Sequence, residues 1–204
     1  NMVPFAPFDF YIKRKLYIHN MGHATCAYLG DLLGLEYIYQ SIDVPEVRIV
    51  VQNAMIESAM ALHKKYDVAL DGILMHITDL LHRFTNAALK DTCKRVGGDP
   101  GRKLSPADRL IGSATLALEQ GVTPAYIALG AAAGLKRYID EAEGMEQGMD
   151  AAKKVLAEVS ELKEEDKLAG MILAMYEQIL AGKSLKELLA AADEVKASSI
   201  HDII

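Results

Sequence analysis

The stretch YIKRKLYIHNMGH, from Tyr11 to His23, sets Lys13, Arg14, Lys15, His19, Asn20 and His23 into otherwise apolar sequence. With α-helical geometry of about 100° per residue and Lys15 at zero, His19 falls near 40°, His23 near 80° and Asn20 near 140°. One half of the cylinder then holds all four, and Lys15 to His23 spans about 12 Å along the axis. That is a wall able to touch several hydroxyls of one small polar substrate. An amine can carry a proton, an amide can donate to an oxygen, and an imidazole can do either. The competing reading is a solvated face on which Lys13, Arg14 and Lys15 snorkel. Zinc chemistry is a third idea, because His19 and His23 are four apart as in HExxH. The stretch reads HNMGH, however, with Asn20 where a glutamate base would stand and no obvious third ligand, so no metal site is expected.

Two further clusters carry polar chemistry. LLHRFTNAALKD places Arg83 and Asn86 just after an apolar helical run, with Lys90 one turn on. GRKLSPADR puts Arg102 and Lys103 before Ser105-Pro106-Ala107-Asp108, which reads as a helix start with a serine cap and proline in the first position. The free N–H groups of such a start favour an anion. Ordinary helix-end polarity is the alternative for both clusters.

The elements that must position these residues are helical. The chain has 204 residues, 51% of them hydrophobic, which suits one domain with a real core. Net charge is −6 and there is no basic tail, so nucleic acid is not an expected partner. No apolar run approaches the roughly 18 residues of a membrane span. The opening NMVPFAPFDF lacks the pattern of a secretory signal, and the two cysteines, Cys26 and Cys93, read as free thiols. A cytoplasmic location is expected. A lead over residues 1–8 precedes a helical domain over 9–204. Apolar periodicity predicts helices near 9–33, 44–66, 68–84, 86–95, 105–120, 124–142, 150–160, 164–181 and 184–195. GLEYIYQSIDVPE is a connector, and GMEQGMD a flexible joint. No alternating strand pattern and no GxGxxG occurs.

Lys15, Asn20 and His23 spell K-x4-N-x2-H, which resembles the signature of the polyol-specific long-chain dehydrogenases, the mannitol dehydrogenase family. The blocks RKLYIHNMGHA, RFTN and RVGGDPGRKLSPADRLIG follow in order and extend the resemblance over most of the chain. The resemblance implies an all-α, multi-helix C-terminal domain of the 6-phosphogluconate dehydrogenase C-terminal-like type. It also implies an N-terminal nucleotide-binding domain as partner, which would hold most of the NAD and whose glycine-rich loop is not in this sequence. The implied reaction is hydride transfer between a polyol phosphate and NAD, taking mannitol 1-phosphate to fructose 6-phosphate. Lys15 would be the general base, which requires a neutral amine and hence a pKa drawn down from about 10.4. Asn20 would donate to the developing oxygen, His23 would hold a neighbouring hydroxyl, and Arg83 would bind substrate. No metal is needed. Arg102 and Lys103, at the expected helix start, are the expected phosphate contacts. The rival expectations are a non-catalytic all-α interaction module, or a module that binds a polyol phosphate without chemistry.

Overall fold

Residues 8–201 are described by a computed structural model, and every regular element among them is a helix. The expected lead lies, except for Phe8, outside the described residues. Helix α1 (Phe8–Arg14) runs through a π-helical segment (Lys15–Asn20) into α2 (Met21–Leu32). Then come α3 (Ile38–Asp43), α4 (Pro45–Tyr66) and α5 (Leu70–Phe84). A 3-10 turn (Ala87–Leu89) and two short helices, α6 (Cys93–Gly97) and α7 (Pro100–Lys103), lead to α8 (Ile111–Glu119). The second half is α9 (Ala125–Glu141), α10 (Met149–Glu158), α11 (Lys167–Leu180) and α12 (Leu185–His201). The all-α expectation is met. No helix among the described residues is long and apolar enough to cross a membrane.

Small residues decide the centre. Helix α9 carries Ala128, Gly130, Ala131, Ala132, Ala133 and Gly134 and packs against α2, α4 and α11. A Cβ at Gly130 would sit 2.5 Å from Oγ1 of Thr25, so only glycine lets α2 and α9 approach this closely. Glu57 of α4, 2% exposed, reaches the start of α9. Its carboxylate accepts N–H bonds from Ala125 (3.0 Å), Tyr126 (3.2 Å) and Ile127 (3.1 Å), donors the first turn of a helix leaves without intrahelical partners. Lys196 of α12 completes the cluster, with Nζ 3.1 Å from Glu57 and 2.7 Å from the Thr123 carbonyl. Burial pushes the Glu57 carboxyl up to about 7, against the pull of Lys196 and the backbone donors.

Three local expectations change. The connector after α2 contains α3, whose start is held by Gln40, its Oε1 accepting the Tyr37 N–H at 3.0 Å. The helix expected over 86–95 is split into the 3-10 turn and α6. The split follows from a backbone bridge in which Ile38 N–H donates to Asp91 O (2.9 Å) and Cys93 N–H to Glu36 O (2.8 Å). The start expected at Ser105 does not form, and α8 begins at Ile111. Asp99 caps the four-residue α7 instead, and Leu104 and Leu110, both fully buried, hold residues 104–110 in a turn.

Candidate active site

The stretch that raised the catalytic question is not a plain α-helix. Residues Lys15–Asn20 form a π turn, and the Met21 N–H reaches back to the Leu16 carbonyl five residues earlier. A π turn accommodates one residue more than an α turn and often marks a functional site. Counting that extra residue out, Asn20 stands to Lys15 as i+4 and His23 as i+7. Their angles from Lys15 become about 40° and about 20° to the other side. The three signature residues thereby share an arc of roughly 60° rather than the 140° of an unbroken α-helix. The neighbours of Lys15 are engaged elsewhere: Lys13 Nζ donates to the Tyr17 hydroxyl at 2.9 Å, and the Arg14 guanidinium lies over the Tyr11 ring at 5.1 Å.

Asn20 and His23 open onto a cleft of about 560 Å³, and His19, Tyr39, Arg83, Phe84, Asn86, Asp91 and Arg95 share its lining. Phe84, buried at the end of α5, is the platform for the imidazoles. Its ring stacks on His23 at 4.7 Å and 17° between planes, and it lies 6.0 Å from His19. Asn86 caps the 3-10 turn by accepting the Ala88 N–H at 3.0 Å, which fixes the wall beyond Phe84. The opposite wall depends on the backbone bridge, which brings Asp91 Oδ2 to 3.5 Å from Nε2 of His23. The other oxygen of Asp91 pairs with Arg95, whose helix is capped by Thr92 through the Arg95 N–H at 3.1 Å. Close packing of α2 under this wall requires Gly30, since a Cβ there would fall on the Ser41 hydroxyl and beside the Cys93 thiol.

Electrostatically the imidazoles are neutral donors or acceptors. Burial holds His23 down to about 4; Asp91 pulls the other way, and His19, Arg95 and Arg109 add to the depression. His19 is lowered by burial and by the nearby His76, Lys15 and Arg83. The site can therefore offer hydrogen bonds from uncharged rings beside a mouth carrying arginines. Among the described residues, no group of three or more His, Cys, Asp or Glu side chains is placed to hold a metal ion.

Of the residues picked from sequence, Asn20, His23 and Arg83 come together in this one cleft. Lys15 is exposed at the head of the π turn, outside the lining yet close enough to act on His19. Arg102 and Lys103 do not line the cleft. Arg102 is held by Asp99 (2.7 Å) and faces Asp108 (3.8 Å), while Lys103 is buried and its Nζ donates to the Gly98 carbonyl. Sequence reasoning missed Asp91 and Arg95. Their spacing of four is the available signal, but it falls within a predicted helix over 86–95 that the fold divides.

Residues 8–195 match the family model described as mannitol dehydrogenase C-terminal domain. A protein of Caldanaerobacter subterraneus subsp. tengcongensis named mannitol-1-phosphate 5-dehydrogenase is 46% identical over 125 residues, covering 61% of this chain and 32% of that protein. One of the same name from Thermoanaerobacter pseudethanolicus is 36% identical over 176 residues, covering 76% of this chain and 45% of that protein. The chain thus spans less than half the length of these relatives. The structure of Pseudomonas fluorescens mannitol 2-dehydrogenase, in a ternary complex with NAD and D-mannitol, matches with a TM-score of 0.67 at 15% identity, over 91% of this chain and 41% of that one. At that identity the structural match bears on the fold. The family match spans nearly the whole described chain, and this protein belongs to the mannitol dehydrogenase C-terminal domain family.

Proposed function

We propose that this chain is the substrate-binding and catalytic half of a polyol-phosphate dehydrogenase. It would act with a nucleotide-binding domain to interconvert mannitol 1-phosphate and fructose 6-phosphate. The observation that supports the reading is that Asn20, His23 and Arg83 line one cleft, with Lys15 at the head of the π turn that ends at Asn20. The described residues contain no strand and no glycine-rich strand-to-helix turn, so they offer no cradle for a dinucleotide pyrophosphate. NAD is assigned to the partner domain, where it supplies the hydride acceptor.

In the oxidation direction Lys15 takes the hydroxyl proton. A partner domain covering the exposed amine would exclude water from the reacting pair. The Asn20 amide donates to the oxygen as carbonyl character develops, a contact stronger in the transition state than in the ground state. His23, neutral and clamped on Phe84, holds an adjacent hydroxyl and so fixes which carbon faces the hydride acceptor. Arg83 binds the polyol or its phosphate.

The test is Lys15→Ala in the chain joined to its nucleotide-binding domain. Loss of a positioned base lowers kcat by about 10²–10⁴-fold with a much smaller change in KM. Near-normal turnover across pH would remove Lys15 from the role of base.

A further inference from the structure

We propose that Arg95 joins Arg83 in a subsite that takes the phosphate monoester end of the substrate; this rests on the polyol-phosphate reading above and names the residue that sets preference for the phosphorylated substrate. The two arginines come from different elements, the last turn of α5 and the short α6, and both line the cleft that Asn20 and His23 open onto. Both are largely exposed, at 63% and 65% of the side chain. Each is held by one carboxylate four residues earlier: Arg83 by Asp79 at 2.7 Å, and Arg95 by Asp91. A guanidinium presents five N–H donors in a planar fork, so one edge can rest on a carboxylate while the others face an incoming phosphate.

Asp91 is the hinge of the arrangement. Among the described residues it is the one carboxylate in the lining, and by itself it would repel a dianion. One of its oxygens is covered by Arg95 and the other faces Nε2 of His23. The carboxylate therefore holds Arg95 beside His23 on one wall of the cleft. The backbone bridge to Glu36 and Ile38 and the Thr92 cap make this wall a built feature rather than a loose loop. The alternative pair, Arg102 and Lys103, is already engaged by Asp99, Asp108 and the Gly98 carbonyl, and Lys103 is buried. A phosphate there would have to displace existing partners, and it would bind away from Asn20 and His23.

The experiment compares mannitol 1-phosphate with mannitol in the chain joined to its nucleotide-binding domain. Arg95→Ala should lower the ratio of kcat/KM for the phosphate over that for the free polyol by about ten- to a hundredfold, the loss expected for one charge-assisted hydrogen bond. The change should sit mainly in KM. Arg95→Lys, which keeps the charge but not the fork, should give an intermediate ratio. An unchanged ratio, or equal losses for both substrates in both variants, overturns the assignment. In parallel, the 204-residue chain is titrated with inorganic phosphate while the arginine Nε–H resonances are followed. Arg95 and Arg83 should shift together, and the Arg83 shift should weaken in Arg95→Ala. If the wild-type two-domain protein turns over neither polyol, the proposed reaction falls, and the phosphate titration still decides the subsite: no shift at Arg95 rejects it.

Discussion

His23 offers the most direct test of how the cleft is built. The ring is stacked on Phe84 at 4.7 Å and its side chain is only 22% exposed. Its pKa is held at about 4 against an ordinary 6.5, chiefly by burial, with Asp91 opposing and His19, Arg95 and Arg109 reinforcing the depression. A fall from 6.5 to about 4 corresponds to roughly 3.4 kcal/mol of preference for the neutral ring in the folded chain. Because the folded value is the depressed one, the unfolded chain takes up the proton first as pH falls. The stabilisation is present in full above pH 6.5 and is lost as pH falls through about 4. Imidazole nitrogen–proton correlation spectra of the labelled chain between about pH 3.5 and 8 would follow this. The expected result is a His23 signal that stays constant from pH 8 to about 5 and then moves. The carboxylate beside Nε2 favours the tautomer with its proton there, leaving Nδ1 as an acceptor. In Asp91→Asn the ring should titrate lower still, because the one group raising its pKa is gone. A midpoint at 6 or above in the wild type would refute the burial, and an unmoved midpoint in Asp91→Asn would refute the pairing.

Two further outcomes follow from the same contacts. Glu57→Ala leaves three helix-start N–H groups and Lys196 without their buried acceptor and should cost about 3–5 kcal/mol of stability by urea unfolding, the range for breaking a buried pair; a loss under about 1 kcal/mol would mean water replaces the carboxylate easily. The 204-residue chain on its own should show no NAD-dependent oxidation of mannitol 1-phosphate, since no cradle for the cofactor exists among the described residues; appearance of reduced cofactor in a purified sample would overturn the two-domain assignment.

Local signals in the sequence carried most of the fold. Pro45 in the first turn of α4, the small-residue run of α9 and the apolar periodicity of α5 and α11 each marked a helix that forms. Where a distant pairing decides the structure, local reading failed. The helix expected over 86–95 yields to a bridge with Glu36 and Ile38, and no pattern near Asp91 announces that partner. Ser105-Pro106 has the chemistry of a helix start, yet burial of Leu104 and Leu110 outweighs it. The consequence for the site is direct. Asn20 and His23 stand three apart on one helical stretch, and Arg83 stands out through the RFTN block of the family resemblance, whereas Asp91 and Arg95 reach the cleft only through tertiary pairing. The phosphate assignment to Arg102 and Lys103 depended on a helix start that is absent.

The spacing K-x4-N-x2-H itself makes physical sense only in light of the π turn. Five and three are different helical intervals: three is close to one α turn, and five is well beyond one. In an unbroken α-helix the lysine and the asparagine would point about 140° apart, and a substrate oxygen between proton acceptor and amide donor could meet only one of them. The π turn spans the interval of five, and the α-helix that follows spans the interval of three. Both ends of the stretch stay anchored, with Phe10 buried before the turn and Met21, Ala24 and Tyr28 buried after it. The extra residue is therefore absorbed locally, the core faces of α1 and α2 keep their directions, and only the residues between them are re-aimed. What the turn re-aims is the pair whose alignment the proposed proton transfer requires.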